Sequence, residues 1–117
     1  MRYLLLIYTP EVDPATVSPE QERAQHEAYG GFTREVRDRG VMEAGEALQP
    51  TPSATTVRIR DGRTLVTDGP FAETKEALGG FYMVDVKDLD EALELAAKIP
   101  GAREGAIEVR PIWELPI

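Results

Sequence analysis

The sequence contains no cysteine. That absence removes disulfide staples, thiolate nucleophiles and zinc–thiolate centres from consideration. Histidine is nearly missing as well. His26 is the only one, so a metal site built on paired imidazoles has nothing to draw on. Basic residues are the minority, 13 Lys and Arg against 21 Asp and Glu, and the formal net charge is −8. Gripping a nucleic-acid backbone or an anionic membrane takes clustered cations that displace counterions. The cations here are scattered, so neither nucleic acid nor membrane is an expected partner, and the acidity reads as solubility. Long apolar runs are lacking too. The longest near the start, Leu4-Leu5-Leu6-Ile7-Tyr8, is far below the roughly 20 residues of a membrane span. It also lacks the basic flank and small-residue cleavage site of a secretory signal. A cytoplasmic protein is the expectation.

What is present is enough for one domain of 117 residues with 42% hydrophobic and 29% charged residues. Residues 2–8 read as a strand whose lack of apolar–polar alternation implies cover on both faces. Ser18-Pro19-Glu20-Gln21 is a helix start, with Ser18 as cap, Pro19 at the first helical position and Gln21 completing a capping box. The helix runs to about Arg39, with Gly40 as its left-handed stop. Tyr29, Phe32 and Val36 share its apolar face, and Gly30-Gly31 marks a close packing point or a kink within it. A short strand follows at 41–48. Residues 55–60 and 63–67 flank Asp61-Gly62, a type I′ hairpin turn. Val57 and Ile59 alternate with Arg58 and Arg60, giving the hairpin one dry face and one wet one. Asp68-Gly69-Pro70-Phe71 is a turn, and 72–77 reads as a short helical turn after it. Residues 80–86 form another strand apolar on both faces. Asp88 and Glu91 cap a second helix with Leu89, Ala92, Leu93, Ala96 and Ile99 on its inner stripe, stopped by Pro100. Residues 107–113 make the last strand. Trp113, Tyr3, Tyr8 and Tyr82 read as core or interface anchors.

The order is β-α-β, hairpin, β-α-β: an α+β, ferredoxin-like split βαβ with an inserted β-hairpin. The two strands that are apolar front and back are the two that this topology places at the centre. Two helices cover one face of such a sheet. Leaving the other face wet would forgo several kcal/mol at about 25 cal/mol per Å2, and monomers do not present patches of that size. Either the hairpin folds over that face or a second copy packs against it in a two-fold homodimer. The homodimer is the expectation.

The run Asp68-Gly69-Pro70-Phe71-Ala72-Glu73-Thr74-Lys75-Glu76 resembles the YCII-related proteins, in the branch named for its Asp-Gly-Pro-Phe signature. The likeness extends through Tyr3-Leu4-Leu5-Leu6-Ile7-Tyr8, Gly45-Glu46-Ala47-Leu48, Gly79-Gly80-Phe81-Tyr82 and Glu108-Val109-Arg110-Pro111, and so over most of the chain. The resemblance implies the dimeric α+β barrel, in which two ferredoxin-like sheets close on each other. It implies no established activity. Members are often encoded near extracytoplasmic-function sigma factors, which implies a regulatory setting, and more distant relatives of the fold include isomerases, monooxygenases and a dehalogenating enzyme. Some members carry a His and Asp pair proposed as catalytic. His26 lies on the first helix, as that His would, but its spacing to Gly45 departs from the pattern and the role is not carried over.

Candidate chemistry falls into three groups. His26 sits beside Tyr29 and Thr33 near the edge of the helix's apolar stripe. It reads either as a general acid or base at a cleft rim, work that an imidazole titrating near pH 6.5 suits, or as a boundary residue. Asp68, Glu73 and Glu76 with Lys75 form a dense polar cluster. On one reading it is a cleft wall in which Asp68 or Glu73 moves protons and Lys75 holds an anionic group. On the other, Asp68 organises the turn, Pro70 fixes φ and Phe71 plugs the core. Glu43 and Glu46, three apart on a strand, point to opposite faces, and Glu46 is the one chosen to line a cleft. Arg58 on the hairpin and Phe71 complete the ligand-binding candidates. Gly30-Gly31 and Gly79-Gly80 lack the strand–glycine–helix context of a phosphate loop, so no cofactor is expected, and with no second His and no Cys no metal is expected either. The first functional expectation is a homodimeric small-molecule-binding domain with cofactor-free acid–base chemistry, in the manner of an isomerase, lyase or dehalogenase, using His26, Glu46, Asp68 and Glu73. The second is a non-catalytic regulatory or partner module in a sigma-factor-linked pathway.

Overall fold

A computed structural model describes residues 1–116. Six strands and two helices run in the order β1 (Arg2–Pro10), α1 (Pro19–Asp38), β2 (Met42–Ala47), β3 (Thr55–Arg60), β4 (Arg63–Asp68), β5 (Glu76–Asp85), α2 (Leu89–Lys98) and β6 (Ala106–Pro111). Strands β2-β5-β1-β6 form one sheet in that order, antiparallel throughout, with β3 and β4 as a separate two-stranded ribbon. This is the ferredoxin-like α+β arrangement, with β1 and β5 at its centre. No helix among the described residues is long and apolar enough to cross a membrane.

Local chemistry accounts for the element ends. The Ser18 hydroxyl accepts from Gln21 N–H while the Gln21 side chain accepts from Ser18 N–H, the reciprocal capping box. Asp88 accepts from Glu91 N–H at the head of α2. The hairpin turn has Asp61 at φ 51° and Gly62 at φ 74°, the left-handed pair that a type I′ turn requires.

Alternation then divides the sheet. Tyr3, Leu5 and Ile7 of β1 and Tyr82 and Val84 of β5 are buried beneath the helices, against Phe32 and Val36 of α1 and Ala92, Leu95, Ala96 and Ile99 of α2. Leu5, Leu95, Ile99, Val36 and Val84 are its largest fully enclosed side chains, each worth about 1.5–3 kcal/mol of burial. The intervening residues face away from the helices. There Leu4 lies opposite Met83, Leu6 opposite Phe81 and Tyr8 opposite Leu78. Ala44 and Glu46 flank this apolar stripe on β2, and Glu108 and Arg110 on β6.

Four expectations are corrected. Residues 72–77 form no helical turn: after an irregular loop, β5 begins at Glu76, and Ala77 pairs with Thr9 as part of the sheet. On α2, Leu89 and Leu93 are exposed and Leu95 is buried. Both sets satisfy helical periodicity, and the docking angle of α2 selects Ala92, Leu95, Ala96 and Ile99. Gly30-Gly31 is not a close packing point, because a Cβ at either position would meet only the Arg34 guanidinium, at 3.6 and 3.9 Å. The last strand ends at Pro111, leaving Trp113 exposed beyond it rather than in the core.

Candidate functional site

At the β2 edge of the sheet, α1 stands off from the strands and leaves a cleft of about 420 Å3. One side is the α1 row Gln25, His26, Tyr29, Thr33 and Arg37, whose spacings of three and four residues bring them onto a single helix face. The other side is Met42, Gly45, Glu46 and Ala47 of β2, with Ile7, Thr9, Gly80 and Tyr82 below.

Tyr82 is held in place from three directions. Its ring meets Phe32 edge-on, with centroids 4.9 Å apart and planes at 71°. Its hydroxyl shares a 2.8 Å hydrogen bond with Thr33 Oγ1. Its flank lies against the β2 backbone at Gly45, where a Cβ would come within 2.8 Å of Tyr82 Cδ1. Gly45 is therefore a packing requirement, and it fixes the floor of the cleft. The Tyr29 hydroxyl rests on Gly101, whose own Cβ would lie 2.8 Å from it. Burial pushes the Tyr29 phenol above its ordinary value, outweighing an opposing backbone contact at Gly101. It is a neutral hydroxyl at physiological pH, suited to donating a hydrogen bond. His26 is exposed at the cleft mouth, and Arg37 lines the other end of the row. Among the described residues, no carboxylate forms an ion pair with Arg37. Glu46 borders the cleft from the sheet edge. Its register opposite Phe81 places it on the helix-free side of β2, so it reaches the rim rather than the space under α1.

A comparison with known families spans the elements that build this cleft: the YCII-related domain matches residues 1–116. The chain belongs to the YCII-related family. A relative from Rhizobium meliloti (strain 1021), Uncharacterized protein R00369, is 39% identical over 114 residues, which are 96% of this chain and 92% of that protein.

In this YCII-related domain the candidate residues divide between two places. His26 and Glu46 share the cleft. Asp68 ends β4 opposite Thr55, Glu73 and Lys75 lie on the exposed loop before β5, and Arg58 is on the ribbon; none of the four lines the cleft. The Asp-Gly-Pro-Phe turn instead closes the root of the ribbon. Gly69 N–H donates to the Ala54 carbonyl at 2.7 Å, and Thr56 Oγ1 donates to the Gly69 carbonyl at 2.8 Å. Phe71 does not plug the core. It is 78% exposed, because the chain here leaves a ribbon that projects beyond the sheet, while the space under the helices is already filled. Phe71 lines a second cavity of about 840 Å3 with Tyr8, Leu48, Pro50, Val57 and Leu78, at the ribbon root. Arg37 was not singled out from sequence, although its spacing of four from Thr33 put it on the same face as His26.

Proposed function

We propose that this protein, of the Asp-Gly-Pro-Phe branch of its family, is a homodimer that binds a small molecule in the α1–β2–β5 cleft. There it carries out cofactor-free proton transfer, as in an isomerisation or elimination. The observation that carries this reading is the alignment of His26, Tyr29, Thr33 and Arg37 along one cleft of about 420 Å3, a size and mixed lining suited to a metabolite. In it, His26 takes or gives the proton. The neutral Tyr29 hydroxyl donates to the oxygen on which charge develops. Arg37 attracts an anionic group, and Tyr82 and Met42 pack against the ligand's apolar part. Glu46 at the rim is the partner for His26 if a second acid–base group is used. Asp68, Glu73, Lys75 and Arg58 enter only through a different surface.

Support for the homodimer comes from surface area. The chain exposes 8605 Å2, whereas a compact monomer of 12.9 kDa exposes about 6300 Å2. The excess of roughly 2300 Å2 is in the range that one partner of a large obligate interface buries. The helix-free sheet face has the matching pattern, with Leu4, Leu6, Phe81 and Met83 central and Glu46, Glu108 and Arg110 at the rim.

Thermal-shift screening of the full chain against small carboxylic acids, keto acids and their neutral analogues tests the cleft. A true ligand at 100 times its Kd stabilises by about 2.7 kcal/mol. That shift should survive Glu73→Gln and be lost in Tyr29→Phe combined with Arg37→Gln. His26→Gln should keep binding and abolish turnover. A broad library that leaves the melting temperature unmoved would turn the reading to the regulatory module, with capture of a sigma-factor-system protein as its positive outcome.

A further inference from the structure

The ribbon β3–β4 is stranded in solvent. Among the described residues its strands pair only with each other, and an isolated two-stranded hairpin is marginal in water. Its two faces differ sharply. Val57 lies directly opposite Val66, and Ile59 opposite Thr64 on the same side. These three aliphatics are 59%, 64% and 65% exposed for Val57, Val66 and Ile59. The other side carries Arg58, Arg60 and Arg63 with Leu65. A ribbon that is basic on one face and aliphatic on the other is built to lie against something apolar, and its own sheet does not supply that surface.

The direction in which the aliphatic face looks identifies what does. Val57 and Phe71 wall the cavity at the ribbon root together with Tyr8 and Leu78. Tyr8 and Leu78 belong to the helix-free side of the sheet. Val57, at the root end of the ribbon's aliphatic face, and the open sheet face therefore border one concavity, and Ile59 and Val66 continue that face beyond it. The ribbon is also long enough to cross a neighbour. Six residues per strand extend about 20 Å, roughly the width of a four-stranded sheet. The radius of gyration of 16.4 Å, against about 13 Å for a compact chain of this length, reflects the same overhang.

We infer that the ribbon is a clasp. Each copy lays Val57, Ile59 and Val66 against a second copy of this chain, and the cavity at the ribbon root becomes an enclosed chamber only when that copy is present. Phe71 is then an inter-subunit contact, which explains why an aromatic stands exposed on a single chain. The Asp-Gly-Pro-Phe turn serves this device by fixing the ribbon's root through Gly69 and Thr56. The inference rests on the two-fold assembly proposed above and adds to it that the ribbon forms part of the interface.

The absence of cysteine makes the test clean. I59C and R60C are each the only thiol in their chain, and on an isolated chain both positions are exposed. Sedimentation equilibrium of the full chain is run alongside the rate of thiol modification by a soluble disulfide reagent. A particle of about 26 kDa, twice the 12.9 kDa chain, with I59C reacting about tenfold or more slowly than R60C, supports the clasp. The protection should disappear on dilution below the dissociation constant, and V57D combined with V66D should weaken association by about tenfold or more. A dimer in which I59C and R60C react alike overturns the clasp and leaves the homodimer standing. A particle of 12.9 kDa at micromolar concentration overturns both. Because I59C and R60C change one side chain on an exposed ribbon, the comparison stands even if the doubly charged variant fails to fold.

Discussion

Replacing Gly30 and Gly31 with alanine should stabilise the protein. Both glycines are interior to α1, which runs unbroken through Pro19–Asp38. Neither has a positive φ, so alanine adopts the existing backbone without strain. The space is available, since the nearest atoms to an added Cβ belong to the Arg34 guanidinium, at 3.6 Å for Gly30 and 3.9 Å for Gly31. Those are ordinary contacts with the end of a flexible side chain. The remaining term is the intrinsic cost of glycine in a helix interior, about 0.8–1 kcal/mol per residue relative to alanine, arising chiefly from unfolded-chain entropy. G30A and G31A should each contribute about that amount and together about 2 kcal/mol. For a domain near this size that raises the melting temperature by roughly 8 °C or more. Guanidinium unfolding followed by circular dichroism, at one fixed chain concentration, should show a higher midpoint with an unchanged slope. Destabilisation by either substitution would refute the reasoning. It would mean that this stretch of α1 is in close contact with something outside the single chain, and it would restore the packing role that the glycine pair suggests in the sequence.

The remaining expectations concern acid stability and the core. The Lys98 ammonium holds the Glu35 carboxyl below its ordinary value of 4.5, the Lys87 backbone N–H followed by Arg39 lowers Glu91, and Arg2 lowers Glu114. A depressed folded-state value means that the unfolded chain binds protons first. The stability these groups contribute is therefore present above about pH 4.5 and is lost as pH falls through the lowered values. Melting temperature measured from pH 6 down to pH 3 should fall most steeply below pH 4.5, and E35Q should flatten that slope. A slope unchanged in E35Q would remove the helix-bridging pairs from the account. In the core, L95A should cost about 2–5 kcal/mol by opening a cavity. L93A, two residues earlier on the same helix, should cost about 0.5 kcal/mol or less. Equal losses in denaturant unfolding would show that α2 docks at a different rotation.

The site was only partly legible. His26, Tyr29 and Thr33 could be grouped from their spacing on one helix. Arg37 follows the same spacing, but a cation at the end of an acidic helix carries no local mark of lining a cleft. Tyr82 and Gly45 lie 37 residues apart, and only the β2–β5 register brings the ring against the glycine. The polar cluster at Asp68, Glu73 and Lys75 looked like chemistry because its charges are dense in sequence. In space its loop leaves a projecting ribbon and shares no wall with His26.

By itself, the amino-acid order determined whatever is decided within a few bonds: the Ser18–Gln21 capping box, the Asp61-Gly62 turn, and the two apolar strands whose pattern implied a ferredoxin-like sheet. These are settled by groups three or four residues apart, whatever lies beyond them. The tertiary structure decided which of two equally periodic stripes of α2 is buried, that residues 72–77 lead through a loop into a strand, and that one cavity runs from His26 past Tyr82 to Arg37. Each of those depends on how whole elements are rotated and registered against one another. That arrangement is fixed by the summed burial of the core and not by any short stretch of the chain.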